Sequence, residues 1–184
     1  MKELELQSVE ASDGALQVVL QNLLELYIHD LSESFAFVEL GPDGRFGYPG
    51  LAAYWSEPGR RYAFLIREAG KTAGFALVTL GSPAVEDPDV YDLAEFFVLR
   101  SHRRGGLGRR AAFRLWSLLP GKWTVRGSES NPAALAFWTR VVGDFTNGEA
   151  TLSTWSGRAN QFRVFGFDSS RPRSQGDAPT AESH

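Results

Sequence analysis

The stretch RRGGLGRRAAFRLW, Arg103 to Trp116, places four arginines and three glycines in its first eight residues. It follows the apolar run AEFFVL and precedes the strand-like KWTVRG, and apolar residues recur at helical spacing from Gly105 to Leu119. These segments predict one unit of strand, helix and parallel strand. Arginines oppose the dipole at a helix N-terminus and glycines leave N–H groups accessible, so the turn is predicted to bind a phosphate or pyrophosphate.

Two other phosphate-binding loops fit this stretch less well. Residues 106–111, GLGRRA, satisfy G-x-G-x-x-[G/A], but a Rossmann site needs its first glycine close behind the strand and an acidic residue about 20 positions later. Here RSHRR intervenes, and TVRG occupies the later position. An NAD(P)-binding protein is therefore the less favoured alternative, and the G-x-x-x-x-G-K-[ST] pattern of a Walker loop is absent.

The flanking segments predict further helices and antiparallel strands. Helical patterns occur in ALQVVLQNLLELYIHDLSE after Ser12 or Asp13, in LAAYWSEP, and in NPAALAFWTRVV after a capping Asn131. LELQSVEA predicts a strand, and RYAFLIREAGKTAGFALVTLG and EATLSTWSGRANQFRVFGF predict hairpins. The predicted fold class is mixed α/β (α+β), with about four helices beside a mostly antiparallel sheet.

The bulk composition of the 184 residues predicts one globular domain, residues 1–167, followed by a polar tail, residues 168–184, that we expect to be disordered. A net charge of -3 disfavours a nucleic-acid partner. The chain has no cysteine and no stretch of signal-peptide or membrane-span character, so we expect a cytoplasmic protein without membrane association. We expect no metal, and either a monomer or a homodimer.

The pattern R-x-x-G-x-G, Arg103 to Gly108, lies behind a strand and opens a helix, and it resembles the acyl-CoA pyrophosphate loop of the GNAT superfamily of N-acetyltransferases. The order of predicted elements from about residue 3 to 167 is similar to that of a GNAT domain. The resemblance implies a sheet that splays at the CoA site, with acetyl-CoA as the cofactor.

The resemblance also implies which residues contact the cofactor. The strand before the loop would bulge at Val98 and offer its backbone to the pantetheine arm, and residues 103–108 would hold the pyrophosphate. The residues implied in cofactor binding are Val98, Arg103, Arg104, Gly105, Gly106, Leu107, Gly108, Arg109, Asn131, Phe137 and Trp138. Asn131 would bind the pantetheine, act as a plain helix cap, or do both.

Two side chains bear on the chemistry of the reaction. Trp138 stands where many family members carry a tyrosine that protonates the leaving thiolate, and an indole N–H cannot do so. Glu95 lies in an apolar run where burial raises a carboxyl pKa toward that of a useful base, although pairing with an arginine or solvation is the alternative. The N–H of Val98 or Leu99 would stabilise the oxyanion.

The acceptor site is less defined by the sequence. In this superfamily the first helices, their loop and the last strands wall it, which makes Tyr27, His29, Asp30 and Ser32 candidates. Further polar and aromatic candidates are Ser34, Tyr48, Tyr54 and Trp55. The expected reaction is direct acetyl transfer to a primary amine of a small molecule, antibiotic or peptide, and the alternative from another class is a non-catalytic acyl-CoA-binding or sensing domain.

Overall fold

A computed structural model describes residues 2–157 and 160–170 of the chain. It contains a seven-stranded sheet and four α-helices. The strands are β1 Leu4–Ser8, β2 Arg61–Glu68, β3 Lys71–Leu80, β4 Tyr91–Val98, β5 Lys122–Ser128, β6 Thr151–Ser156 and β7 Gln161–Asp168. The helices are α1 Gly14–Ser32, α2 Ala53–Ser56, α3 Leu107–Leu118 and α4 Pro132–Thr146. The predicted element order and fold class are confirmed.

The sheet order is β1-β2-β3-β4-β5-β7-β6, and β4 with β5 is its parallel pair. This pairing spans three residue pairs, from Tyr91 opposite Trp123 to Leu93 opposite Val125. Beyond Leu93 the two strands separate, whereas β3 stays paired with β4 as far as Val98. The sheet therefore opens between β4 and β5 toward the start of α3.

Each face of the sheet has its own hydrophobic core. On one face α3 and α4 pack over the sheet around the fully buried Trp116, together with Trp123 and Trp138. On the other face α1 and α2 pack around Leu20 and Phe75. Large aromatic side chains of this kind supply much of the buried apolar area of a domain. The two cores fix the position of β4 from both sides.

A β-bulge in β4 turns this strand away from β5. The register with β3 passes from Leu93 to Glu95 between consecutive β3 residues, so Ala94 is the extra residue. It directly follows the last parallel pair, which is where the strands separate. The bulge was predicted at Val98, and that position is wrong because spacing from the glycine loop carries no information about the register with β3.

The C-terminal boundary lies slightly beyond the predicted one. Asp168 belongs to β7, and Ser169 donates its N–H to the Gly121 carbonyl and its hydroxyl to the Trp116 carbonyl. These residues are held by the domain, which corrects the predicted tail start at residue 168. The rest of the predicted tail, residues 171–184, lies outside the described residues.

Candidate active site

Some backbone N–H and C=O groups of β4 are not paired with β3. These groups face the gap between β4 and β5. The Leu99 N–H donates to the Ala73 carbonyl of β3 at 2.8 Å, and Val98 lies opposite Gly74. Because backbone groups alternate in direction along an antiparallel ladder, Val98 and Phe96 direct their N–H and C=O groups toward the gap. The Leu99 N–H is used within the sheet, which corrects its predicted role as an oxyanion donor.

The N-terminus of α3 supplies backbone donors at the end of this gap. Gly106 adopts a left-handed conformation with φ 77° immediately before the helix. Leu107 to Arg109 form the first helical positions, whose N–H groups have no partner within the helix. A side chain on Gly108 would lie 3.1 Å from the Phe137 ring, so glycine lets α3 and α4 approach closely here.

Most of the arginines in the loop have carboxylate partners within the protein. Arg109 pairs with Asp144 at 2.9 Å, and Arg110 pairs with Glu68 at 2.8 Å. Arg104 is exposed, and no side-chain partner occurs for it in residues 2–157 and 160–170. The crowding of positive charge is thus largely compensated internally, which the sequence argument for a bound anion did not foresee.

The Arg103 side chain does not point toward the glycine-rich turn, where it was predicted to contact the pyrophosphate. It points toward β4 and α1. Its Nε donates to the Val98 carbonyl and a terminal nitrogen donates to Asp30, both at 2.7 Å, and its backbone N–H donates to the Arg100 carbonyl. The guanidinium carbon lies 5.5 Å from the Phe97 ring centroid. The Arg103 side chain is therefore held by β4 and α1 in this structure.

The helix α4 residues predicted to contact the cofactor have structural roles. The Asn131 side-chain oxygen accepts from the Ala134 N–H at 3.0 Å and caps the helix. Phe137 stacks on Phe96 with ring centroids 6.4 Å apart, and Trp138 is buried against the edge of the same ring at 5.2 Å. Trp138 thus packs in the core, and no hydroxyl is present at its position.

Glu95 is the centre of a partly buried hydrogen-bonded cluster. Its carboxylate accepts from the Tyr27 hydroxyl at 2.6 Å and from the Tyr48 hydroxyl at 3.1 Å. Burial raises the pKa of the Glu95 carboxyl, while the two hydroxyls and the charge of Arg126 lower it. Burial also raises the pKa of Tyr27 and Tyr48, so both phenols stay protonated as donors.

An open cavity of about 640 Å³ lies beside this cluster. It is lined by Tyr48 and Tyr54, by the start of β2, by the β3 to β4 connection, and by Ala94, Asp92 and Arg126. Arg126 donates two hydrogen bonds to the fully buried Asp92, at 3.0 and 2.7 Å. A volume of this size suits a small molecule or the end of a peptide.

The predicted acceptor residues divide between two locations. Tyr27 joins the Glu95 cluster, whereas His29 is exposed and contacts the Phe46 ring. The Ser32 hydroxyl donates back to the His29 carbonyl, and Asp30 pairs with arginines instead of facing the cavity. Only Tyr27 of these four therefore lies at the cluster.

Sequence reasoning missed Arg126 and Asp92 as parts of the cavity. Asp92 is fully buried, and its carboxylate also accepts from the Ser82 and Thr124 hydroxyls. The available signal was a single arginine in the apolar strand KWTVRG, because a charge in a buried strand requires a partner.

The site combines an open sheet edge, an anion-binding helix start and a buried carboxylate beside a cavity. The chain belongs to the acetyltransferase (GNAT) family, whose model matches residues 21–143. Acetyl-CoA is accordingly its cofactor. No curated protein matches the sequence.

Solved structures of acetyltransferases share the fold. An acetyltransferase from Thermus thermophilus is 21% identical, with a TM-score of 0.60 over 90% of this chain and 96% of that one. Spermidine N-acetyltransferase from Vibrio cholerae, in complex with CoA and spermine, is 14% identical, with a TM-score of 0.60 over 91% and 96%. The yncA protein from Salmonella typhimurium, with its cofactor acetyl-CoA, is 13% identical, with a TM-score of 0.58 over 97% and 98%.

Two further features bear on the expectations about membranes and metals. Within residues 2–157 and 160–170, no helix has the length and apolar character needed to cross a membrane. Over the same ranges, no group of three or more histidine, aspartate or glutamate side chains is arranged to hold a metal ion.

Proposed function

We propose that this protein is an N-acetyltransferase that transfers the acetyl group of acetyl-CoA directly to a primary amine while both substrates are bound. The observation that carries the proposal is the Glu95 carboxylate on β4, the strand that borders the sheet opening, where two tyrosine hydroxyls hold it. One of these tyrosines, Tyr48, also lines the cavity. A base held by a tyrosine of the cavity wall can take a proton from an amine bound there, directly or through water, and burial raises the Glu95 pKa toward that function.

The residues around the gap fit a CoA molecule. The Val98 N–H and the Phe96 carbonyl suit the amide groups of the pantetheine arm, and the N–H groups of residues 104–109 suit the CoA pyrophosphate. Arg104 adds a positive charge that no carboxylate of the described residues compensates. When bound, acetyl-CoA supplies the thioester-activated acetyl group.

The chain itself contributes proton removal and hydrogen bonding. The Glu95 carboxylate accepts a proton from the ammonium form of the acceptor, directly or through water, and leaves a neutral amine. The Phe96 N–H, which is next to Glu95 in the chain, would donate to the acetyl oxygen as it gains negative charge. Trp138 provides no acid, so protonation of the departing thiolate falls to another group or to water.

The cavity does not carry a strong excess of negative charge. Glu57 pairs with Arg61, Asp87 with Lys122, and Asp92 with Arg126. A polycation such as the spermine seen in the Vibrio structure gains most from uncompensated carboxylates. The acceptor panel should therefore include amino acids, aminoglycosides and peptide amines as well as polyamines.

A thiol-release assay with purified protein, acetyl-CoA and this panel tests the proposal. We expect turnover on at least one amine and release of CoA in equal amount to the acetylated product. The missing hydroxyl at Trp138 favours a second candidate, a non-catalytic acyl-CoA-binding domain. Tight CoA binding without turnover on any amine would support that candidate, and binding of NADPH in place of CoA would contradict both.

A further inference from the structure

Arg103 connects the end of β4 to the end of α1. The Nε of its guanidinium group contacts the Val98 carbonyl, and a terminal nitrogen contacts Asp30 in the last turn of α1. A carboxylate in the last turn opposes the helix dipole, so Asp30 depends on its two arginine partners, Arg103 and Arg100. These two cations lower the pKa of the Asp30 carboxyl, although partial burial acts in the opposite direction.

The same turn of α1 also holds Glu95. Tyr27 precedes Asp30 by three residues, so both side chains lie on one face of the helix. Tyr27 donates to Glu95, and its ring packs on Phe97 with centroids 5.7 Å apart. The Arg103 guanidinium lies on that same Phe97 ring. Arg103 therefore reaches the tyrosine through two routes, a helix turn and a shared aromatic ring.

We propose that Arg103 is a positioning residue: by binding Asp30 and the Val98 carbonyl it fixes the end of α1, and thereby the hydrogen bond from Tyr27 to Glu95. Its catalytic importance rests on the proposed function, in which Glu95 is the base. The coupling itself is a property of the free protein. It joins the first residue of the glycine-rich loop to the carboxylate of the neighbouring strand.

Several groups other than Arg103 act on Glu95. Tyr27 approaches from α1, Tyr48 from the connection between α1 and α2, and Tyr54 from α2. Arg126 approaches from β5, and Asp92 lies on β4 together with Glu95. Loosening the end of α1 changes only the first of these contacts, and that hydrogen bond lowers the Glu95 pKa.

The test is a ¹³C NMR titration of the Glu95 carboxyl carbon, assigned by its loss in Glu95→Gln. We expect Arg103→Gln to raise the Glu95 pKa by roughly 0.3 to 1 unit, since one hydrogen bond of ordinary strength is affected. Tyr27→Phe should raise it as well, and Arg103→Gln should add nothing in the Tyr27→Phe background. The acidic limb of the kcat profile should move to higher pH in parallel.

Three further variants separate positioning from charge and from misfolding. Arg100→Gln removes a salt bridge to the same Asp30 but leaves the link from Asp30 through Arg103 to Val98, so it should shift the Glu95 pKa clearly less than Arg103→Gln does. Arg103→Lys keeps the positive charge but cannot contact the Val98 carbonyl and Asp30 together. It should therefore raise the Glu95 pKa as Arg103→Gln does. Asp30→Asn weakens the Arg103–Asp30 contact from the α1 side and should raise the Glu95 pKa as Arg103→Gln does. It replaces Arg103→Gln in the test if Arg103→Gln does not fold.

Additive shifts of Arg103→Gln and Tyr27→Phe, or an equal shift in Arg100→Gln, would overturn the inference, because a through-space charge effect would then explain the data. A loss of CoA affinity of about tenfold or more in Arg103→Gln, without a pKa shift, would instead assign Arg103 to the pyrophosphate. The titration needs no substrate, so it remains decisive if the amine assay contradicts the proposed function.

Discussion

At the scale of single residues, Glu95 illustrates what a sequence can and cannot indicate. A lone carboxylate in the apolar run AEFFVL indicated burial, and the structure places Glu95 in a partly buried cluster. The partners Tyr27 and Tyr48 lie 68 and 47 residues away. Their contact with Glu95 depends on how α1 and the following loop pack on β4, which no local pattern encodes.

Replacement of Glu95 tests its role as the base. Glu95→Gln keeps the shape and its single amide oxygen accepts one of the two tyrosine hydrogen bonds, but the side chain cannot take a proton. We expect kcat to fall by about 10²- to 10⁴-fold, the usual contribution of a positioned base, with little change in the Kd for acetyl-CoA. Steady-state kinetics and calorimetry measure the two quantities.

The exposed Glu149, which is not part of the cavity lining, provides a matched control. Glu149→Gln makes the same chemical change and should retain wild-type turnover. If Glu95→Gln turned over acceptor as fast as Glu149→Gln at every pH, Glu95 would have no part in the reaction.

At the scale of elements, the start of α3 shows a similar division. The glycines and the helical spacing predicted the turn, and the helix begins within two residues of the predicted start. The partners of Arg103, Arg109 and Arg110 come from α1, α4 and β2. The clustered arginines indicated a bound phosphate because the sequence does not show their partners. In the folded protein, carboxylates from three separate elements neutralise three of these arginines.

Substitution of Arg104 and of Arg110 should have different effects on CoA binding and on stability. Arg104 is exposed and unpaired by carboxylates in the described residues, so Arg104→Ala should weaken CoA binding about three- to tenfold, as expected for one surface charge, and reduce the salt dependence of Kd. Arg110 holds Glu68 and the Lys2 carbonyl. Arg110→Ala should lower Tm by several degrees and leave Kd nearly unchanged.

Calorimetric titration with CoA at two salt concentrations and thermal unfolding of both variants check these expectations. An unchanged Kd in Arg104→Ala would show that the backbone N–H groups alone hold the phosphates. Equal effects of both substitutions on Kd would contradict the assignment of Arg110 to structure.

At the scale of the whole molecule, the mixed fold was predictable because each segment had a clear period and clear breaks. The hairpins, the buried central strand and the two later helices all occur where the patterns indicated. The bulge position and the choice of Asp92 as the partner of Arg126 were not predictable, because both depend on strand register across the sheet; the lone arginine in KWTVRG indicated only that a partner exists. Sequence thus determined the order of elements, whereas the site depends on their alignment.

Glu95 also links function to the stability of the whole molecule. Its pKa is raised in the folded protein above the ordinary value of 4.5. Below pH 4.5 both folded and unfolded states hold the proton. As pH rises from 4.5 through the folded pKa, the unfolded state loses its proton first, and folding stability decreases. Glu95→Gln escapes this decrease.

We therefore expect Glu95→Gln to have a higher Tm than the wild type at about pH 8, with the difference disappearing near about pH 4. Thermal unfolding across this pH range measures it. A lower Tm for the variant at every pH would show that the ionised carboxylate stabilises the fold through its hydrogen bonds more than burial destabilises it.

The short parallel contact between β4 and β5 has a consequence for the cooperativity of the fold. Among the described residues, only three residue pairs join strands β1 to β4 with β5 to β7. Local unfolding occurs most readily where few hydrogen bonds join two strands. Amide protons of β5 that face the gap beyond Val125 should therefore exchange with solvent faster than those of β3. A pantetheine arm lying in the gap would act as a substitute strand. CoA should therefore slow exchange on both sides of the gap and make the two halves of the sheet unfold as one unit.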